Sequence, residues 1–122
     1  MNIIVNGTEK FQDYNTFMRA IVVAIDELMK PDDNKINVYS CGGYKTNQFA
    51  AEFINRSERF LKQKGIKPRY FIVPKRDVVE RFDDYDPDMV VFLSGKSENI
   101  EVIDSLISQA NLRDTEIRIY KI

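Results

Sequence analysis

A chain of 122 residues, 43% hydrophobic and 30% charged, holds one domain with enough apolar side chains to close a core. Eighteen Lys and Arg against 19 Asp and Glu leave a net charge of −1, which argues against a protein built to grip nucleic acid electrostatically. The chain has no His and a single Cys, Cys41. Ser-His-Asp hydrolysis, His-based acid–base pairs, most zinc sites and an intrachain disulfide are thereby excluded, and a reducing compartment is expected.

Ile3-Ile4-Val5 reads as a first strand stopped by Asn6-Gly7. Met1 leads straight into it, without a basic segment or a small-residue cleavage site, and no apolar run approaches transmembrane length. A soluble cytoplasmic domain is expected. From Asn15 to Met29, apolar residues at Phe17, Ala20, Ile21, Ala24, Ile25, Leu28 and Met29 mark one helix face. Met18, Val22 and Val23 widen it, so this helix is either deeply buried or covered by a partner, including a second copy of the chain.

Ile36–Tyr39 is the second strand, followed by Ser40-Cys41-Gly42-Gly43. A long helix is predicted from Thr46 to Lys64, with Phe49, Ala50, Phe53, Phe60 and Leu61 inward and Gly65 as its stop. Tyr70–Val73 is the third strand, closed by Pro74, and Asp77–Phe82 can form only a short helix. Met89–Leu93 is continuously apolar, as a strand buried on both faces should be. Ser94-Gly95-Lys96-Ser97 leads into a helix with Ile100, Ile103, Leu106, Ile107 and Ala110 inward, and Ile117–Tyr120 alternates like an edge strand. This βαβαβαβαβ order predicts a single three-layer Rossmann-like α/β domain over residues 1–122. Its roughly five strands should be mostly parallel, with helices on both faces.

In such sheets ligands bind beyond the carboxyl ends of the strands, where the strand order reverses. Three loops of suitable chemistry lie at strand ends: Asn6-Gly7-Thr8-Glu9, Ser40-Cys41-Gly42-Gly43-Tyr44-Lys45-Thr46 and Ser94-Gly95-Lys96-Ser97. Glycine lets backbone N–H groups approach a ligand, and helix N-termini favour anions. Lys45 and Lys96 supply charge, and Thr8, Thr46 and Ser97 supply hydroxyls. Together they describe a cradle for a phosphorylated or nucleotide-like molecule, with no cofactor and no metal. The same residue types also end strands and cap helices with no ligand present.

The opening Ile4-Val5-Asn6-Gly7-Thr8-Glu9-Lys10-Phe11-Gln12-Asp13-Tyr14 resembles the first motif of the SLOG superfamily, nearest its small YspA-like Rossmann-like domains of bacteria and phages. Gly42-Gly43 with Ala50-Ala51 resembles the second motif of that branch, and Asp88 followed by Ser94-Gly95-Lys96-Ser97 its later one. The resemblance implies a fold suited to nucleotides or their derivatives. Relatives include phosphoribohydrolases and sensors of nucleotide signals. The departures are specific. Glu9 stands where the family has Arg, and Tyr44–Gln48 replace a stretch of small residues. Phe49 occupies the place of the hydrolases' catalytic acid. The resemblance therefore implies a binding form in preference to an N-glycosidic hydrolase using Glu9 or Glu52. A ligand-free interaction module working through residues 15–29 is the alternative.

Other motifs fail on spacing. A Walker A loop ending at Gly95-Lys96-Ser97 would need Gly where Val90 stands. A calcium loop starting at Asp84 would need Gly and Glu where Met89 and Gly95 stand, so Asp84–Asp88 reads as a solvated acidic turn. A receiver domain needs acids where Asn6-Gly7 and Pro74 lie. Cys41, without a His to act as base, reads as a structural thiol. Lys62, Lys64, Lys67, Arg69, Lys75 and Arg76 crowd the third strand, a pattern shared by solvated faces and polyanion sites. The many Ile, Asn and Lys residues, with no Trp or His, suit an AT-rich phage or bacterial genome.

Overall fold

The computed structural model describes residues 1–96 and 104–122. Its elements in chain order are β1 (Asn2–Gly7), α1 (Tyr14–Leu28), β2 (Lys35–Ser40), α2 (Tyr44–Gln63), β3 (Lys67–Ile72), α3 (Lys75–Glu80), α4 (Phe82–Tyr85), β4 (Met89–Ser94), α5 (Ser105–Leu112) and β5 (Glu116–Lys121). All neighbouring strands pair in parallel, in the order β3-β2-β1-β4-β5. The order reverses at β1, which has β2 on one side and β4 on the other. That makes the β1–β4 boundary the topological switch point.

Helices cover both faces, as the alternation of elements predicts. On one face α1 and α2 bury Phe17, Ala20, Ile21, Ala24, Phe49, Ala50, Phe53, Ile54 and Leu61 against Ile3, Val5, Ile36, Val38, Met89, Val91 and Leu93. On the other, Val78, Phe82, Leu106 and Ala110 from α3, α4 and α5 meet Ile4, Cys41, Val90 and Phe92. Strands β1 and β4 feed alternate side chains to both cores. Every residue of β4 is buried, which is why its sequence is apolar without alternation.

Several boundaries differ from the expected ones for physical reasons. β3 begins at Lys67, three residues early, because Pro68 needs no ladder hydrogen bond at a sheet edge. α2 begins at Tyr44, with Gly43 in a left-handed conformation (φ 78°) as its N-cap. Phe60 does not point into the core but is 58% exposed, with the Lys64 ammonium 4.7 Å from its ring centre. The 20 residues of α2 outrun the 15 of α1, so nothing covers Phe60 on that side. On α1, Met18 and Val22 are exposed and Val23 is half-buried, so this helix is not deeply buried all round. β5 lies at the other edge of the sheet, although its burial does not alternate cleanly. The short helix expected after β3 is two helices, α3 and α4, broken at Arg81. α5 is capped by Asp104, whose carboxylate accepts from Leu106 N at 2.8 Å. The expected inward residues Ile100 and Ile103 lie outside the described residues.

Candidate functional site

The carboxyl end of β1 passes directly under the β2–α2 turn. Gly7 N donates to Gly42 O at 3.3 Å, and Cys41 N donates to Val5 O at 2.9 Å. A Cβ on Gly7 would stand 1.8 Å from Thr46 Oγ1, one on Gly42 2.3 Å from Asn6 Nδ2, and one on Gly43 2.9 Å from Gly7 O. The close approach these glycines permit is therefore to the chain itself. Thr46 is fully buried, and among the described residues its Oγ1 is the buried side-chain oxygen with no hydrogen-bond partner. Ser40, also buried, donates to Asn47 Oδ1 at 2.6 Å.

The β1–α1 loop then folds across the switch point. Thr8 N donates to Leu93 O at 2.9 Å, Gly95 N donates to Thr8 Oγ1 at 3.0 Å, and Phe11 is driven fully into the core. Gly95 is pressed so closely on Lys10 that a Cβ there would lie 2.5 Å from the Lys10 carbonyl carbon. A backbone neighbour cannot swing aside, so only glycine fits. The sequence-predicted residues thus fall into two groups joined by Thr8. Gly7, Gly42, Gly43 and Thr46 pack together beneath the α2 N-terminus, and Gly95 and Lys96 lie against the β1–α1 loop. Glu9 and Lys45 are exposed, and Ser97 lies outside the described residues.

Beside that second group is an open cleft of about 540 Å³, lined by Lys10, Gln12, Asp13, Tyr14, Asn15, Glu52, Arg56, Gly95, Lys96 and Ile122. It sits where the β1–α1 loop, the carboxyl end of β4 and the outer side of α2 converge. Its size falls in the range of small-molecule sites. Asp13 Oδ1 caps α1 by accepting from Thr16 N at 3.2 Å, which fixes one wall. Arg56 forms another: it pairs with Glu52 at 2.5 Å and lies over the Tyr14 ring, 4.7 Å from its centre. The other side of Tyr14 packs against Phe17 and Phe49, so its ring is held rigidly. Burial pushes the Tyr14 hydroxyl above its ordinary pKa, with Arg56 pulling it down less strongly.

Three cationic side chains, Lys10, Arg56 and Lys96, line this cleft together with the carboxylates of Asp13, which caps α1, and Glu52, which is paired with Arg56. Such an arrangement can hold an anion. Among its described lining residues there is no nucleophile paired with a base. Of the sequence-predicted residues, Gly95 and Lys96 line the cleft. Lys10, Tyr14 and Arg56 were missed. Their one sequence signal was that Lys10 and Tyr14 lie inside the opening motif.

Elsewhere, Cys41 is buried at the end of β2, and desolvation pushes its thiol up to about 12 despite the nearby Lys75 ammonium. A structural thiol, as expected, is what that environment makes. Among the described residues no group of His, Cys, Asp and Glu is placed to hold a metal ion, and no helix is long and apolar enough to cross a membrane. No family model matches the chain, and neither the curated proteins nor the solved structures contain a match.

Proposed function

We propose that this chain is a small cytoplasmic binding domain for a phosphorylated, nucleotide-like ligand, held at the carboxyl ends of β1 and β4 and not turned over. The observation that carries the reading is the coincidence of three things at one place: the switch point of a 3-2-1-4-5 sheet, the roughly 540 Å³ cleft, and the cations Lys10, Arg56 and Lys96. The resemblance of the opening motif to the SLOG superfamily supports the same ligand class. Gly95 and Lys96 belong to the site on this reading. Gly7, Gly42, Gly43 and Thr46 form the platform under the loop that carries Lys10. Glu9 and Lys45 are outside the cleft lining, and Ser97 lies outside the described residues.

A hydrolase acting through Glu9 or Glu52 has less support, since Glu9 is outside the cleft lining and Glu52 is already bound to Arg56. A second reading rests on a separate observation. Met18 and Val22, one helical turn apart on α1, are 37% and 42% exposed, a short apolar strip suited to a protein partner or a second copy of the chain.

A thermal-shift screen against mononucleotides, cyclic and dinucleotide signals and ADP-ribose tests the first reading. A ligand bound only by the folded state raises the melting temperature. Lys96→Ala should weaken binding about tenfold, the value of one charge-assisted hydrogen bond. No shift with any nucleotide at millimolar concentration would overturn it.

A further inference from the structure

Strand β3 is an edge strand, and no described strand lies along its outer side. Lys67 N donates to Asn34 O at 2.8 Å and Val73 N to Ser40 O at 2.9 Å, so the odd-numbered residues of this strand turn their amides toward β2. By the alternation of a parallel ladder, Pro68, Tyr70 and Ile72 turn their backbone groups outward. Pro68 has no N–H to offer. Tyr70 and Ile72 present both a donor and an acceptor, and no described residue pairs with them.

The side chains here are unlike those of a protected edge. Tyr70, Phe71 and Ile72 are 39%, 38% and 58% exposed in an unbroken apolar run. The Phe71 ring is held in place by stacking on Tyr39, with centres 5.2 Å apart and planes at 19°. The opposite edge is defended differently: Arg118 of β5 pairs with both Glu116 and Glu27. Sheets normally place charge, proline or bulges along an open edge to prevent pairing with other chains; β3 carries Lys67, Pro68 and Arg69 in its first half and no such residue at Tyr70, Phe71 or Ile72.

The charge around this edge is one-sided. From Arg59 to Arg76 the sequence has seven Lys and Arg and no Asp or Glu. Lys62, Lys75 and Arg76 are paired with Glu58, Asp104 and Glu80, whereas Lys64 and Lys67 have no acidic partner among the described residues. Two-fold pairing of β3 with its own copy would lay this cationic stretch against itself. A phosphate backbone could meet the cations but has no donors for the outward carbonyls of Tyr70 and Ile72. A peptide backbone supplies both donors and acceptors in strand register.

From this charge pattern and open ladder, we infer that β3 is a docking edge for an extended acidic peptide segment of another protein. The segment adds a sixth strand beside Tyr70–Ile72. Its apolar residues cover Phe71 and Ile72, and its carboxylates face Lys64 and Lys67. This is recognition by strand addition, in which main-chain hydrogen bonds hold the segment and side chains select it.

The test uses the ¹⁵N-labelled full chain and the blocked octapeptide Glu-Val-Glu-Ile-Glu-Val-Glu-Ile, with its Lys-for-Glu counterpart and a dT12 oligonucleotide as comparisons. The acidic peptide should shift the Tyr70 and Ile72 amide resonances and slow their hydrogen exchange at least tenfold. The Lys peptide should bind at least tenfold more weakly. Ile72→Pro removes an outward N–H without touching the β2 ladder and should abolish the effect. Lys64→Glu/Lys67→Glu, which leaves the backbone unchanged, should reverse the preference between the two peptides. The inference is overturned if neither peptide protects these amides, if dT12 protects them instead, or if the chain alone protects them as a dimer in sedimentation.

Discussion

Thr46 is where residue-level chemistry is least comfortable: a hydroxyl in the first turn of α2, fully buried, with no hydrogen-bond partner and the Gly7 Cα directly beneath it. Leaving a buried hydroxyl unpaired costs about 1–3 kcal/mol, yet its volume fills the space that a side chain at position 7 would take. Gly7→Ala should therefore destabilise the chain by about 1–3 kcal/mol through overpacking. Gly7→Ala/Thr46→Ala should recover part of that loss, because the hydroxyl oxygen at 1.8 Å and the methyl at 3.2 Å are gone while the Thr46 Cβ at 2.9 Å remains. Denaturant midpoints of the two variants decide it; equal losses would show that Thr46 is not what the new methyl meets. Cys41 gives a second prediction. Its thiol is raised from the ordinary 9.0 to about 12 chiefly by burial. The unfolded chain loses that proton first, so the contribution is complete below pH 9 and is lost as pH rises toward 12. Stability should fall across that window, and Cys41→Ala should flatten the fall. Tyr85, raised to about 12 by burial and its bond to Asp77, adds a slope of the same sign that the variant leaves in place.

At the scale of elements, the helix ends show how local chemistry positions the two faces of the sheet. Asp104 does two things at once: it caps α5 through Leu106 N and binds the Lys75 ammonium at 2.5 Å, tying the start of α5 to the start of α3. Asp104→Ala should cost about 1–2 kcal/mol, near the upper end for a lost N-cap. Asp104→Asn, which keeps a cap acceptor but not the charge, should recover most of it in thermal or denaturant unfolding. If Asn recovers nothing, the Lys75 pair outweighs the cap. α2 ends differently. Gly65, at φ 78°, lets Ile66 N reach back to Leu61 O at 2.9 Å, and this stop was legible in the sequence because glycine alone takes that conformation without strain. Phe60 was not legible. Its spacing fits the buried face, and only the unequal lengths of α1 and α2 leave it in solvent.

At the scale of the whole molecule, the fold could be read because its signals are local and repeated. The unbroken Val90–Leu93 run, the helix periodicity of 17–28 and the strand–helix alternation each point to a parallel sheet. The site could be read only in part. Gly7, Gly42 and Gly43 advertise close backbone approach, but the sequence does not say to what, and here the neighbour is the protein itself. The cleft is assembled from Lys10, Tyr14, Arg56 and Lys96, which come from three separate stretches of chain. Of these, Lys96 alone stood out from loop chemistry. The cleft at the β1–β4 switch and the cationic strand edge at β3 are separate surfaces. The most direct test of the proposed ligand binding is an ¹⁵N-detected titration of the chain with ADP-ribose and with mononucleotides. Shifts concentrated in residues 10–15, 52–56 and 95–96, and lost with Lys96→Ala, are the predicted result. Saturable shifts centred on another surface, or none at millimolar ligand, would contradict it.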